Sequence, residues 1–461
     1  MSILSTFIVP HPPLIIPEIG GGQQIKIEKT IKAYDEIAKR IEEIKPEILI
    51  ITTPHSIMYS DYIHISPGQG SNGNFKEFGY EHIKFDVKYD TEFIRLLSEL
   101  AIKYDIPAGV MGEKNKSLDH GTMIPLHFIN KYYRDYKIVR IGISGLSFIE
   151  HYNFGKCIAE AADKFNKKIV FIASGDLSHM LKDEGPYGYT DEGPIFDKEV
   201  TYAMAHADFM RLLAFDEEFC EIAAECGLRS FIIMAGALDG KAVKSELLSY
   251  EGPFGVGYAV ASFEVTGADD KRCFGKIYND AENERLKLIM LKEDKFVKLA
   301  RKSLEGYICN SERIDRPSDL PNDLVENKAG VFVSLYMNGQ LRGCIGTITP
   351  TTNSIADEII QNAISAGLKD PRFNPVSKKE LNKIVYSVDV LGEAEPINSI
   401  KELDPSRYGV IVTKGSSRGL LLPNLEGINT PEEQVSIALK KAGIHQNEKY
   451  NLERFEVVRH K

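Results

Sequence analysis

The chain has 461 residues, 43% hydrophobic and 26% charged, with a formal net charge of −10. That length exceeds what one hydrophobic core serves and predicts two domains, while the acidic balance argues against a nucleic-acid-binding face. No apolar run approaches the roughly 20 residues that span a bilayer. The six scattered cysteines, which form no CxxC motif, suit a reducing compartment, so a cytoplasmic protein without membrane contact is expected.

Ile3 to Val9 reads as a buried strand that stops at Pro10-His11-Pro12-Pro13. A helical pattern follows from about Gln24 to Ile44, and Ile48 to Ile51 forms a second strand. A strand, a crossover helix and a strand predict a parallel pair with a right-handed connection. Lys137 to Ile143 and Ile169 to Ala173 repeat the short β-rich run, and Val243 to Tyr250 and Gly257 to Val265 close an α/β domain with a mostly parallel central sheet. The first domain is therefore assigned to residues 1–266, a polar stretch at 267–287 reads as a linker, and the second domain occupies 288–461.

The second domain opens on a long helix reaching about Ile308. A strand from Gly330 to Tyr336 meets Asn338-Gly339, a strong hairpin signal, and returns as Leu341-Arg342-Gly343-Cys344-Ile345-Gly346. A helix from Ser354 to Leu368, a strand from Ile384 to Leu391 and a hairpin from Tyr408 to Leu422 complete an α+β pattern.

His11 follows the first strand and His55, in Thr52-Thr53-Pro54-His55, follows the second. As parallel neighbours roughly 4.8 Å apart, those strands would deliver both imidazoles to one carboxyl edge, where open α/β sheets bind ligands. Two histidines and one carboxylate with open positions suit non-haem Fe(II). Glu225, in Ala224-Glu225-Cys226-Gly227 before an apolar helix, is the best-placed acid, although a carboxylate there also serves as a helix cap. His120, in Asp119-His120-Gly121, and His179, in Ser174-Gly175-Asp176-Leu177-Ser178-His179, are acid-base candidates.

Taken in order, Pro-His-Pro-Pro, Pro54-His55, Asp119-His120-Gly121 with Pro125-Leu126 behind it, and the Ser174 to His179 run resemble the class III extradiol ring-cleavage dioxygenases, the LigB-like superfamily that includes the Memo proteins. The resemblance covers about residues 1 to 265. It implies Fe(II) held by His11, His55 and a downstream donor, with His179 moving a proton and His120 lining a pocket for a small aromatic, catechol-like substrate. Ring-cleaving members supply a glutamate as third ligand, whereas Memo proteins place a cysteine before a glycine. Glu225 and Cys226 offer both, and Glu225 is preferred. Consecutive helical residues point about 100° apart, so the two are alternatives.

From about residue 288 onward the chain resembles the AMMECR family, whose signature matches Leu341-Arg342-Gly343-Cys344-Ile345-Gly346. Arg342 could fork onto an anion, Cys344 could act as a nucleophile, and Gly343 and Gly346 could admit a ligand to the backbone. Equally, Cys344 and Ile345 could be core and the glycines could shape a bulge. The fused order resembles the protein A family of the AmmeMemoRadiSam system. That likeness implies a separately encoded radical-SAM partner and a second functional reading, a metal-binding component that does not cleave rings. Association with further copies of the chain is left open.

Overall fold

In the computed structural model, which describes residues 2–114, 117–425 and 427–461, β1 (Ile3–Val9) does not lie beside β2 (Ile48–Thr53). The parallel strands β1, β2, β3 (Lys137–Gly142) and β4 (Ile169–Ser174) run in the order β1-β4-β2-β3. An antiparallel hairpin, β5 (Lys241–Glu251) and β6 (Tyr258–Ala268), extends the sheet beyond β1. The expected neighbours are thus parallel but separated by β4. Sequence adjacency cannot reveal a later strand inserted between two earlier ones. Every residue of β2 and β4 is buried, as parallel strands covered on both faces require.

The helices supply that cover. α1 (Glu28–Ile44) buries Thr30, Ala33, Tyr34, Ile37, Ala38 and Ile41, the three-and-four spacing of one helical face. Tyr34 stacks on Phe128 of α2 (His120–Ile129), ring centres 4.3 Å apart. On the opposite face, α3 (Phe148–Phe165) starts with a capping box between Ser147 and Glu150 and crosses α4 (Leu228–Ala237) at two glycines. A Cβ on Gly155 would lie 2.0 Å from the Ile233 carbonyl, and one on Gly236 would lie 2.0 Å from that of Tyr152. Neither side chain can be added without parting the helices.

The chain divides between Asp280 and Ala281. The expected linker at 267–287 instead finishes β6 and begins α5 (Phe274–Lys292), and the division falls inside that helix. Its polar sequence is carried by ion pairs three or four residues apart, Lys276–Asp280 at 3.0 Å, Arg285–Glu282 at 2.6 Å and Lys287–Glu284 at 2.7 Å. A polar stretch with that charge spacing makes a solvated helix rather than a coil. The helix expected to run on to Ile308 breaks before α6 (Lys295–Asn310), where the Asp294 carboxylate accepts from the Phe296 and Val297 N–H groups.

In the second unit an antiparallel sheet runs in the order β8-β7-β9-β12-β10-β11. It comprises β7 (Val331–Met337), β8 (Gln340–Gly346), β9 (Val385–Leu391), β10 (Tyr408–Lys414), β11 (Ser417–Leu421) and β12 (Asn451–His460). Asn338 and Gly339 both adopt positive φ, 54° and 81°, and close the β7–β8 hairpin. α6 and α7 (Ile355–Leu368) share one core with β7 and β9, built on Val297, Leu304, Val333, Ile359 and Val388. α8 (Pro431–Ala442) packs with β10 and β11 in a second cluster. Among the described residues, no helix is long and apolar enough to cross a membrane.

Candidate metal centre

β1, β2 and β4 end at the same carboxyl edge, with Ser174 of β4 opposite Val9. His11 leaves β1 with both sides of its peptide held: the Tyr34 hydroxyl donates to the Pro10 carbonyl, and the His11 N–H donates to Asp176 Oδ1 at 2.7 Å. The ring is held as well. Ser174 Oγ donates to the Gly121 carbonyl at 2.7 Å, so its single hydrogen is committed. His11 Nδ1, 3.0 Å from the same oxygen, must then be the donor, which leaves a lone pair on Nε2.

That lone pair faces two further donors. His55 Nε2 is 2.9 Å from His11 Nε2, and Cys226 Sγ is 3.6 Å from it. Within the described residues, His11, His55 and Cys226 form a group whose donor atoms all lie within 4.8 Å of one another. Metal–nitrogen bonds near 2.1 Å and a metal–sulfur bond near 2.3 Å give N···N separations of roughly 3.0 Å at a right angle and N···S separations of about 3.6 Å at a tetrahedral angle. The donor set fits one transition-metal ion.

Cys226 reaches this position through a contact between two glycines. A Cβ on Gly175 would stand 2.2 Å from Gly227 Cα, and one on Gly227 would stand 2.4 Å from the Phe231 ring. The loop after β4 therefore lies directly on the Cys226-Gly227 turn, and the Asp176 N–H donates to Cys226 Sγ at 3.3 Å. Burial pushes the thiol well above its usual range and raises the Asp176 carboxyl to about 7, against the lowering effect of the His11 N–H.

Glu225, the acid preferred from sequence, takes the other position open to it. Its Oε2 accepts from the Leu228 N–H at 2.6 Å at the start of α4, and it does not belong to the converging donor group. Burial raises this carboxyl to about 7, partly offset by the Leu228 N–H and Arg229. The adjacent thiol, not the carboxylate, stands beside the imidazoles.

His120 begins α2, whose N-terminus is capped by Asp119, and its ring centre is 4.0 Å from that of His55 and 5.4 Å from that of His11. Asp119 also ties the two loops together, because Thr53 Oγ1 donates to its Oδ1 at 2.7 Å and receives the His55 N–H at 3.2 Å. His179 stacks on Tyr187 at 5.1 Å. Burial, followed by the His55 charge, lowers both His120 and His179 to about 4. At neutral pH each is an uncharged imidazole able to accept a proton. A cavity of about 780 Å³ opens beside the centre, lined in part by His55, Phe78, Leu118, His120, Met123 and Arg140.

Ser174, Asp176 and Tyr34 were not singled out from sequence. Ser174 and Asp176 sit in the quoted Ser-Gly-Asp-Leu-Ser-His run, where an acid beside a glycine signals a loop that holds backbone, while Tyr34 looks like any apolar position of α1.

In the second unit, Gly343 and Gly346 are packing positions: a Cβ would meet the Ala366 carbonyl at 2.3 Å and the Phe332 ring at 2.2 Å respectively. Arg342, read as an anion fork, spends its guanidinium on Glu380 at 2.7 Å. Cys344 is half-buried and accepts from Ser334 Oγ at 3.2 Å.

A mostly parallel α/β sheet with imidazoles and a thiol gathered at its carboxyl edge, followed in the chain by an antiparallel α+β domain, defines an α/β domain with a candidate metal site and a second module. Residues 5–261 match the family of the catalytic LigB subunit of aromatic ring-opening dioxygenase, and residues 297–460 match AMMECR1. The chain belongs to the LigB family and carries an AMMECR1 domain as its second unit. It is 45% identical to protein CA_C1420 of Clostridium acetobutylicum over 469 aligned residues, covering all of both chains. A Thermotoga maritima protein is 48% identical over 174 residues, 37% of this chain and all of the relative. Among solved structures, Pyrococcus horikoshii PH0010 is 34% identical with a TM-score of 0.34, covering 36% of this chain and 88% of that one. Escherichia coli JW3007 is 14% identical with a TM-score of 0.35, covering 56% and 99%.

Proposed function

We propose that the first unit is a non-haem Fe(II) oxidoreductase acting on a small aromatic or related substrate, with the ion held by His11, His55 and the Cys226 thiolate. The observation that carries this reading is the convergence of the three donor atoms within 4.8 Å. Imidazole and thiolate both suit iron, and bound Fe(II) would supply one-electron chemistry and open coordination positions. The protein's own part is positional. Ser174 fixes the His11 tautomer and Asp176 fixes its backbone, so little ordering remains to be done when the ion arrives. An imidazole nitrogen of His179 or His120 accepts the proton of a substrate hydroxyl, and Phe78, its ring centre 5.7 Å from His120, gives the cavity an aromatic wall.

The thiol favours a second reading. A soft donor in place of the carboxylate suits a metal-holding component of a radical-SAM-linked modification system, in which the AMMECR1 domain binds substrate or partner and no ring is cleaved. Six free cysteines fit the reducing cytoplasm that either reading needs. Anaerobic iron loading followed by oxygen uptake with a panel of catechols separates the two. Turnover lost in His11→Ala supports ring cleavage; one iron per chain without turnover of any catechol supports the second reading. Failure to bind any metal overturns both.

A further inference from the structure

Asp197 is a buried acid with no place in the donor group at the metal centre. It lies in the helix Glu192–His206, whose apolar face is packed by Phe196, Val200, Ala203 and Met204, and it is only 1% exposed. Burying a carboxylate is costly unless donors meet it. Two do: the Ser178 N–H donates to Oδ1 at 2.8 Å, and the Tyr250 hydroxyl donates to Oδ2 at 2.7 Å. The fit leaves no slack, because a Cβ on Gly257 would stand 2.0 Å from Oδ2. Burial raises the carboxyl to about 7, against the lowering effect of the two bonds.

Ser178 is the residue before His179, and its peptide is held on both sides. The Gly257 N–H donates to the Ser178 carbonyl at 2.8 Å, opposite the bond to Asp197. The Ser178 side chain then crosses to the next loop. Its Oγ donates to the Ala223 carbonyl at 2.8 Å and accepts the Met180 N–H at 2.9 Å, while the His179 N–H donates to the same Ala223 carbonyl at 3.3 Å. Ala223 ends the helix Glu217–Ile222, and the chain turns at Ala224, φ 50°, to deliver Cys226. One carboxylate therefore fixes the peptide that carries both the approach to His179 and the tie to the Cys226 turn.

We propose that Asp197 is a positioning residue for the candidate metal centre, holding the Ser178 peptide so that His179 and the Cys226 thiol keep one fixed arrangement. The assignment rests on reading His11, His55 and Cys226 as the donors. Without the carboxylate, the Ser178 N–H loses its acceptor and the Ser178–Ala223 bond loses its fixed end. The thiol is then no longer held ready beside the imidazoles, and outer partners of this kind are typically worth 10–100-fold in metal affinity.

Cobalt(II) titration of the full-length chain at about pH 8, where the Asp197 carboxylate is ionised, tests this through two readouts that need no turnover: the dissociation constant and the thiolate-to-cobalt charge-transfer band. Asp197→Ala should weaken binding about tenfold and, at saturating cobalt, diminish the band. Asp197→Asn, whose amide oxygen still accepts from the Ser178 N–H, should retain most of the affinity. Val200→Ala, which opens a cavity under the same helix, should lower stability and leave both readouts unchanged. Ser178→Ala keeps the carboxylate and removes the tie to Ala223; it should match the loss in Asp197→Ala, and the double variant should lose no more than either alone, since both act through one bond. Wild-type affinity and band in Asp197→Ala, an equal loss in Val200→Ala, or losses that multiply in the double variant overturn the proposal and leave the three-donor centre standing. Where Asp197→Ala does not fold, wild-type affinity in Ser178→Ala overturns it. A wild-type chain that shows no charge-transfer band at saturating cobalt overturns the thiolate reading and the proposal with it.

Discussion

Cys226 Sγ stands 3.6 Å from His11 Nε2 across 215 residues of sequence, while Glu225, its immediate neighbour, caps α4 through the Leu228 N–H. Two adjacent side chains thereby divide two roles, donor and helix cap. Cys226→Ala is expected to abolish stoichiometric iron binding in anaerobically loaded protein. Glu225→Gln, whose amide oxygen can still accept from the Leu228 N–H, should retain iron and change stability by less than the roughly 1 kcal/mol of a lost cap, as read by elemental analysis beside denaturant unfolding.

Ser174 bears on the proposed metal site through His11. Ser174→Ala removes the oxygen that keeps the proton on Nδ1, so Nε2 no longer presents its lone pair in every molecule. Loss of such an outer partner typically costs 10–100-fold in metal affinity. Competition with a calibrated chelator should show a loss in about that range, with the melting temperature little changed.

Gly175 gives a steric test of the same assembly. Its missing side chain lets the loop after β4 lie on Gly227, and Gly175→Ala would drive a Cβ to 2.2 Å from Gly227 Cα. Overpacking of this kind costs about 1–3 kcal/mol. The variant should unfold at lower denaturant and bind iron more weakly, because the displaced turn carries Cys226.

The pH dependence of stability has a contributor outside the candidate metal centre. His151 is buried in α3, its Nδ1–H donating to the Ser147 carbonyl while Nε2 accepts from the Ser144 N–H. That arrangement requires the neutral ring, and burial lowers its pKa from 6.5 to about 4. The unfolded chain therefore takes up a proton at higher pH than the folded one. Its contribution is complete above pH 6.5 and is lost progressively as the pH falls toward 4. Unfolding midpoints measured between pH 7.5 and 4.5 should fall on acidification, with a shallower fall in His151→Gln.

Much of this arrangement was legible before any coordinates. Short β-rich runs marked the strands of the first sheet and β7 to β11 of the second, though not β12, Asn338-Gly339 marked its hairpin, and the four histidines His11, His55, His120 and His179 stood out by position after strands or in glycine-containing turns. Three features escaped for physical reasons. The insertion of β4 between β1 and β2 is a long-range pairing that no local pattern encodes. The choice between Glu225 and Cys226 depends on a turn in which Ala224 adopts φ 50°, a rotation of the chain that helical geometry does not anticipate. The segment at 267–287 looked like a linker because the helix there buries only scattered positions, Phe274, Tyr278 and Leu286 among mostly exposed polar residues, and so carries no continuous apolar stripe.

X-ray absorption at the iron edge of anaerobically loaded wild-type protein tests the three-donor centre most directly. A sulfur scatterer near 2.3 Å together with imidazole nitrogens near 2.1 Å is the expected result, with the sulfur contribution lost in Cys226→Ser. A wild-type shell of nitrogen and oxygen alone, unaltered by Cys226→Ser and altered by Glu225→Gln, would contradict the thiolate and return the third position to the carboxylate.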